Sequence, residues 1–353
     1  MDMENMTING RYHTSGDMLW MATSACMAGF RTRGARFCRV LLKGDCTATD
    51  ENRETDRARM EIRVDGATIW QDRVDRAEMT VTVFENEQAE DHEVRIIKLS
   101  ECTSSLVGIA EIDTDGRMEK LPEAEEKLLV IGDSITCGYG VEGDLTQSFT
   151  TATENATAAY GYLTAEELGM DVELFSFSGF GIISGYTDDG KINDGCLVPP
   201  LYGTCGMNAF VFPDGRTLQE IPWEPSRSRP DWIVLNLGTN DLSYCREDPE
   251  KKASFEKAYG QFLRKIRASA PQARILCVLG IMGTGLNPEM VAAVRDFCEK
   301  TGDTLTRALP VEEQDQATDG VGTDYHPSAA TQKKLALKVA EAIRQWKKEG
   351  VNG

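Results

Sequence analysis

From Trp20 to Ile112 apolar and polar residues alternate in short segments separated by turn residues. Arg36–Leu42, Ala58–Val64, Ala67–Trp70, Met79–Phe84 and His92–Leu99 read as strands, and Asp65-Gly66 between the second and third is a hairpin signal. Period-2 alternation around such turns predicts an antiparallel sandwich. The stretch from Asp113 to Lys127 carries Glu119, Glu123, Glu125 and Glu126 and reads as a linker. Boundaries are expected at 1–115 for the all-β domain, 116–127 for the linker and 128–353 for a second domain.

Beyond Lys127 the pattern becomes apolar runs separated by helical stretches, the mark of a parallel sheet with crossover helices. Leu128–Ile131, Val172–Phe177, Trp232–Leu237, Ile275–Ile281 and Thr304–Leu309 are the predicted strands. Phe255, Tyr259, Phe262 and Ile266 fall on one helical face, as do Leu335, Val339, Ile343 and Trp346 in a terminal helix that Ser328 is placed to cap. A third helix is expected from Asn155 to Leu168, stopped by Gly169. Five strands with helices on both faces predict a flavodoxin-like three-layer α/β domain.

Composition narrows the function. With 38 Lys+Arg against 57 Asp+Glu in 353 residues the formal charge is −19, which repels phosphate backbones and anionic lipid. No nucleic-acid or membrane partner is expected. The longest apolar run, Ile275–Met282, is far short of the roughly 20 residues that a spanning helix needs. The acidic, polar first residues lack the pattern of a secretory signal, so a cytoplasmic chain is expected. Its 10 cysteines form no C-x-x-C pair and its 3 histidines are His13, His92 and His326, so free thiols and no metal site are expected. Oligomeric state is not readable.

Ligands of doubly wound sheets bind at the carboxyl ends of the strands. There the chain places Gly132-Asp133-Ser134, then Ser178-Gly179-Phe180-Gly181, then Gly238-Thr239-Asn240-Asp241, and finally Asp324-Tyr325-His326-Pro327 ahead of the terminal helix. A hydroxyl, a glycine amide, a carboxamide and an imidazole converging on one edge are the parts of an acyl-transfer site. Each residue also has a plain structural reading: a turn serine, a bend glycine, a capping asparagine. Four together at the carboxyl ends of the first, second, third and fifth strands favour chemistry. Two other motifs fail on context. Gly138-Tyr139-Gly140-Val141-Glu142-Gly143 matches a dinucleotide fingerprint but begins too far past the strand, and Gly185–Lys191 resembles a phosphate loop until Ile192. No cofactor is expected.

These four blocks, in this order over residues 128–349, resemble the SGNH (GDSL) hydrolase superfamily. With the sandwich ahead of them the chain is similar to carbohydrate esterase family 2, which joins an N-terminal jelly roll to an SGNH domain and deacetylates plant polysaccharides. The resemblance implies Ser134 as nucleophile, His326 as general base, and an oxyanion hole formed by the Ser134 and Gly179 amides and the Asn240 side chain. The superfamily sets its orienting Asp three residues before the His, where this chain has Thr323. Asp324, two before, is therefore either the third catalytic residue or a bystander to a Ser-His dyad. Trp223, ahead of the third strand, and Tyr325, beside the base, are the expected sugar contacts; Asp133 and Asp241 are read as loop-fixing. The long segment Ile182–Arg229, with Tyr186, Tyr202 and Trp223, is expected to form a rim or lid over the site. The implied function is a serine acetylesterase on xylan- or mannan-type saccharides, in a cytoplasmic setting on short oligosaccharides. A non-catalytic sugar-binding protein, or an esterase for a lipid or another acyl group, is the alternative.

Overall fold

The computed structural model describes residues 3–224 and 227–351. Nine strands open the chain: β1 (Thr7–Asn9), β2 (Tyr12–Ser15), β3 (Met18–Met21), β4 (Met27–Gly44), β5 (Arg59–Val64), β6 (Ala67–Arg73), β7 (Glu78–Lys98), β8 (Val107–Thr114) and β9 (Arg117–Lys120). All belong to one antiparallel sheet in the order β2-β3-β8-β4-β7-β5-β6, with β1 and β9 paired along the first part of β4. The long pair β4·β7 breaks register between Thr32 and Ala35, between Ala35 and Phe37, and between Cys38 and Arg39. Bulges increase local twist and bend a strand. The sheet thus curls, jelly-roll-like, around Phe30, Val40, Met60, Ile62, Val94 and Ile96.

The β5–β6 turn is at Asp65 (φ 49°) and Gly66 (φ 83°), both positive as a primed hairpin turn requires. Two expectations need correction. Met79–Phe84 and His92–Leu99 lie on the single strand β7 save for Leu99, which comes just after it; the intervening positions are mostly exposed, and a strand that runs past its core has no apolar face to announce it. Within the segment read as linker, Arg117–Lys120 is strand β9, held on β4 partly by the Glu119–Arg33 ion pair at 2.9 Å.

The second domain is a five-stranded parallel sheet of β10 (Lys127–Gly132), β11 (Asp171–Ser176), β12 (Trp232–Asn236), β13 (Arg274–Leu279) and β14 (Thr306–Pro310), in the order β11-β10-β12-β13-β14. That is the flavodoxin-like order. Its helices are α1 (Ser134–Cys137), α2 (Tyr160–Leu168), α3 (Val198–Leu201), α4 (Thr239–Cys245), α5 (Pro249–Ser269), α6 (Asn287–Thr301), α7 (Gln316–Asp319) and α8 (Ala329–Val351). Alternate strand residues face opposite layers. Leu128, Val130, Val234 and Val278 pack with Tyr160, Val339 and Ile343 from α2 and α8; Leu129, Ile131, Leu235 and Cys277 pack with Phe255, Phe262 and Phe297 from α5 and α6. Ser328 caps α8, accepting the Thr331 N–H at 3.3 Å. The sequence pattern does not announce helix α6, because Ala292, Ala293 and the charged residues around them dilute its apolar stripe.

The rim segment packs down. Tyr202, Phe212, Leu218, Ile221 and Trp223 are buried in the core, and Phe210 and Phe212 meet Trp20 of β3 across the domain boundary. Nearby, Arg11 inserts fully buried beneath β11, its Nε 3.1 Å from Glu173 Oε1 and its guanidinium 3.6 Å above the Phe175 ring.

Candidate active site

Strand β10 ends at Gly132, where a Cβ would lie 2.0 Å from Thr136 Oγ1, so the close approach of α1 requires glycine. Asp133 caps α1 by accepting the Ile135 N–H at 3.1 Å. Its carboxyl is pushed up to about 7 by burial, against the lowering effect of that bond. Ser134 comes next as the first residue of α1, largely buried, with its hydroxyl turned to the imidazole that precedes α8.

Ser134 Oγ and His326 Nε2 are 2.8 Å apart, and His326 Nδ1 lies 3.1 Å from the Thr323 carbonyl oxygen. A carbonyl only accepts, so Nδ1 carries the ring proton and Nε2 presents its lone pair to the serine hydroxyl. Burial holds the imidazole pKa below its ordinary value, opposed by the Thr323 and Asp324 backbone groups and the Asp324 charge. The Tyr139 ring covers it at 4.3 Å and is itself stacked on Phe149 at 3.7 Å. The ring is thus neutral, oriented and sheltered, as a general base should be.

The expectation that Asp324 could serve as the catalytic carboxylate is corrected by the geometry. Asp324 (φ 51°) and Tyr325 (φ 61°) are both left-handed, which turns their side chains outward to exposed positions. Asp324 Oδ2 accepts the Tyr139 hydroxyl at 2.8 Å, while the Thr323 carbonyl takes the bond to the ring nitrogen.

Gly179 has φ 81°, and a methyl group placed on its Cα would meet nothing within 4 Å, so it opens directly on the cleft. Among the described residues neither its N–H nor that of Ser134 donates to a protein acceptor. Two backbone donors therefore remain free beside the nucleophile, the arrangement an oxyanion needs. Asn240 joins them from α4, but its Nδ2 already donates to the Phe180 carbonyl at 2.8 Å and to Asp133 Oδ2 at a long 3.3 Å. The weaker of these bonds is the one an oxyanion would displace. Asp241 accepts the N–H groups of Ile182, Ile183 and Ser184, which fixes the loop after Gly179; burial pushes its carboxyl up to about 6.

These groups open on a cleft of about 780 Å³ walled by Tyr139, Tyr186, Leu242, Met282 and Tyr325. Tyr325 is thus at the site, and Tyr186 stands exposed on its rim. Trp223 is not, and the expectation of a sugar contact there is corrected. It is buried against Tyr12 (5.7 Å) and Arg227 (4.6 Å) at the domain boundary, where a large ring gains more from packing than from a solvated rim. The sequence reading missed Tyr139, whose glycine-flanked position suggested only a nucleotide loop. It also missed Glu101, an isolated acid in the first domain that accepts the Ser178 N–H at 2.9 Å. Among the described residues one group could hold a metal: Glu101, Cys137 and Glu154, with ligand atoms within 4.8 Å of one another, buried outside the cleft walls.

A family model for the GDSL-like Lipase/Acylhydrolase family matches residues 130–334, and one for the Carbohydrate esterase 2 N-terminal domain matches residues 8–123. Among curated relatives, a cellulase/esterase CelE of Acetivibrio thermocellus is 34% identical over 62% of this chain, which spans only 25% of that protein's length. An acetylxylan esterase / glucomannan deacetylase of Cellvibrio japonicus is 28% identical over 77% of this chain and 72% of its own. A solved family two carbohydrate esterase from Clostridium thermocellum, in complex with cellohexaose, superposes with a TM-score of 0.81 at 28% identity, covering 96% of this chain and 98% of that one.

Proposed function

The chain belongs to the GDSL-like lipase/acylhydrolase family, and we propose that it is a serine esterase that removes O-acetyl groups from acetylated plant saccharides of the xylan or mannan type. The observation that carries this reading is the 2.8 Å contact between Ser134 Oγ and His326 Nε2 beside two free backbone donors. The names of the similar proteins supply the substrate class: an acetylxylan esterase / glucomannan deacetylase, and a carbohydrate esterase bound to cellohexaose.

In this reading Ser134 Oγ attacks the acetyl carbonyl carbon as its proton passes to His326 Nε2. The carbonyl oxygen becomes an oxyanion facing the Ser134 and Gly179 amides, with Asn240 as a third donor. Collapse breaks the ester bond, His326 gives its proton to the departing sugar oxygen, and the acetyl group stays on Ser134. Water then attacks, losing a proton to His326, and acetate leaves as that proton returns to Ser134. The exposed rings of Tyr186 and Tyr325 supply apolar faces at the rim against which a sugar can lie. The cysteines are all unpaired, which fits a reducing compartment and hence short acetylated oligosaccharides in the cytoplasm as substrate.

The test is acetate release from 4-nitrophenyl acetate and from acetylated xylo- and manno-oligosaccharides, by the native chain and by Ser134→Ala. Release by the native chain alone, faster on the sugars, is expected. No release from any of these acetates would overturn the reading in favour of a different acyl group or of sugar binding without catalysis.

A further inference from the structure

We propose that Glu101, a residue of the curled-sheet domain, is the positioning residue for the oxyanion amide of Gly179. The inference rests on the esterase reading above and adds a part that the first domain plays in it. The Ser178 N–H, immediately before the Gly179 amide, donates to Glu101 Oε2 at 2.9 Å. The Gly179 carbonyl, immediately after it, accepts the Tyr186 N–H at 2.8 Å. The oxyanion amide is thus carried between two peptide groups that are each tied down. One tie is made within the hydrolase domain and the other reaches across from its neighbour.

Glu101 is itself held on every side. Its N–H donates to Glu154 Oε1 at 3.0 Å and its carbonyl accepts from the Lys98 ammonium at 3.0 Å, both partners being buried. Two residues earlier the Leu99 carbonyl accepts the Ala156 N–H at 3.0 Å, which stitches this segment to the hydrolase domain. Glu101 is 2% exposed, a depth at which a carboxyl is costly unless its oxygens have partners. Its Oε2 is the acceptor that the structure gives the Ser178 N–H.

A displaced oxyanion donor costs turnover and leaves ground-state binding nearly unchanged, because the charge it serves exists only in the transition state. The experiment compares Glu101→Gln, which keeps an acceptor oxygen at the same reach, with Glu101→Ala, which has none. Two readouts apply: kcat and KM for 4-nitrophenyl acetate, and the inhibition constant of methylboronic acid, which becomes a tetrahedral anion on Ser134. The glutamine variant is expected to keep kcat within about threefold. The alanine variant is expected to lose about 10- to 100-fold in kcat, with KM moving less than about threefold and boronate affinity falling alongside kcat, as a partial loss of one oxyanion donor should.

Native kcat in Glu101→Ala would overturn the inference, and so would equal losses in both variants with KM shifting as much as kcat. Glu101→Asp covers the case in which alanine does not fold. It keeps the charge but shortens its reach, so kcat should again fall, and a native value would overturn the inference. A native chain that releases no acetate at all would instead sink the esterase reading, and that is seen before any Glu101 variant is measured.

Discussion

His326 Nδ1 donates to the carbonyl oxygen of Thr323, 3.1 Å away and three residues earlier in the chain, at the position where an orienting aspartate stands in the wider superfamily. The main chain at that position does for the ring what a carboxylate does elsewhere: it fixes the tautomer and the ring plane. A neutral acceptor stabilises the imidazolium less than a charged one. Part of that deficit is met by the Asp324 charge nearby, which raises the imidazole pKa while burial lowers it.

Asp324→Ala should accordingly lower kcat for 4-nitrophenyl acetate only a few-fold, whereas His326→Ala should remove about 10³-fold or more, as loss of a general base does. The two variants measured side by side decide it. A loss in Asp324→Ala as deep as that in His326→Ala would mean that the carboxylate swings onto the ring during turnover.

The acid limb of the pH–rate profile is set by the burial of His326. Its base form is the active one, and the folded pKa lies below the ordinary 6.5, so activity should persist as pH falls through 6.5 and be lost only below it. Tyr139→Ala uncovers the ring and frees the Asp324 carboxylate from its hydrogen bond. Both changes favour the imidazolium, so the limb should move toward higher pH. An unmoved limb would show that Tyr139 does not shelter the base.

Gly179→Ala separates strain from catalysis. The site has room for a methyl, so the cost to stability should be the left-handed backbone alone, about 1–2 kcal/mol. Relief of that strain would turn the amide, and kcat should fall by about 10²-fold, the value of one oxyanion donor. A melting curve and a kcat measurement on the same preparation give both numbers; a variant with native kcat would take the Gly179 amide out of the mechanism.

Much of this site was legible in the chain because strand ends in a parallel sheet are fixed by apolar runs, and chemistry is confined to the loops just beyond them. Ser134, Gly179, Asn240 and His326 meet for that reason, although they are scattered over the second domain. The features that were not legible depend on side-chain direction or on the other domain. Two left-handed residues turn Asp324 away from the ring, and no local pattern announces them. Trp223 and the rim aromatics suit sugar platforms, although aromatics in a long loop more often pack it down, and only the docked first domain decides between the two. Glu101 carries no signal at all, since its partner Ser178 lies in another domain. The sequence pattern splits strand β7 in two because its middle runs through solvent, where alternation has nothing to face.

The domain junction makes the last prediction. Arg11 is fully buried, with Nε on Glu173 and Nη1 donating to the Tyr202 carbonyl at 2.9 Å. Arg11→Met would leave the Glu173 carboxyl buried without its cation, a loss typically of about 3–5 kcal/mol. Replacing both partners, in Arg11→Met with Glu173→Leu, removes the stranded charge and should recover much of that loss, since apolar pairs of similar volume often match a buried ion pair. Arg11→Met should therefore melt well below the native chain, and the double variant between the two or above native. Equal melting temperatures for the single and double variants would mean that the pair contributes through packing on Phe175 and not through charge.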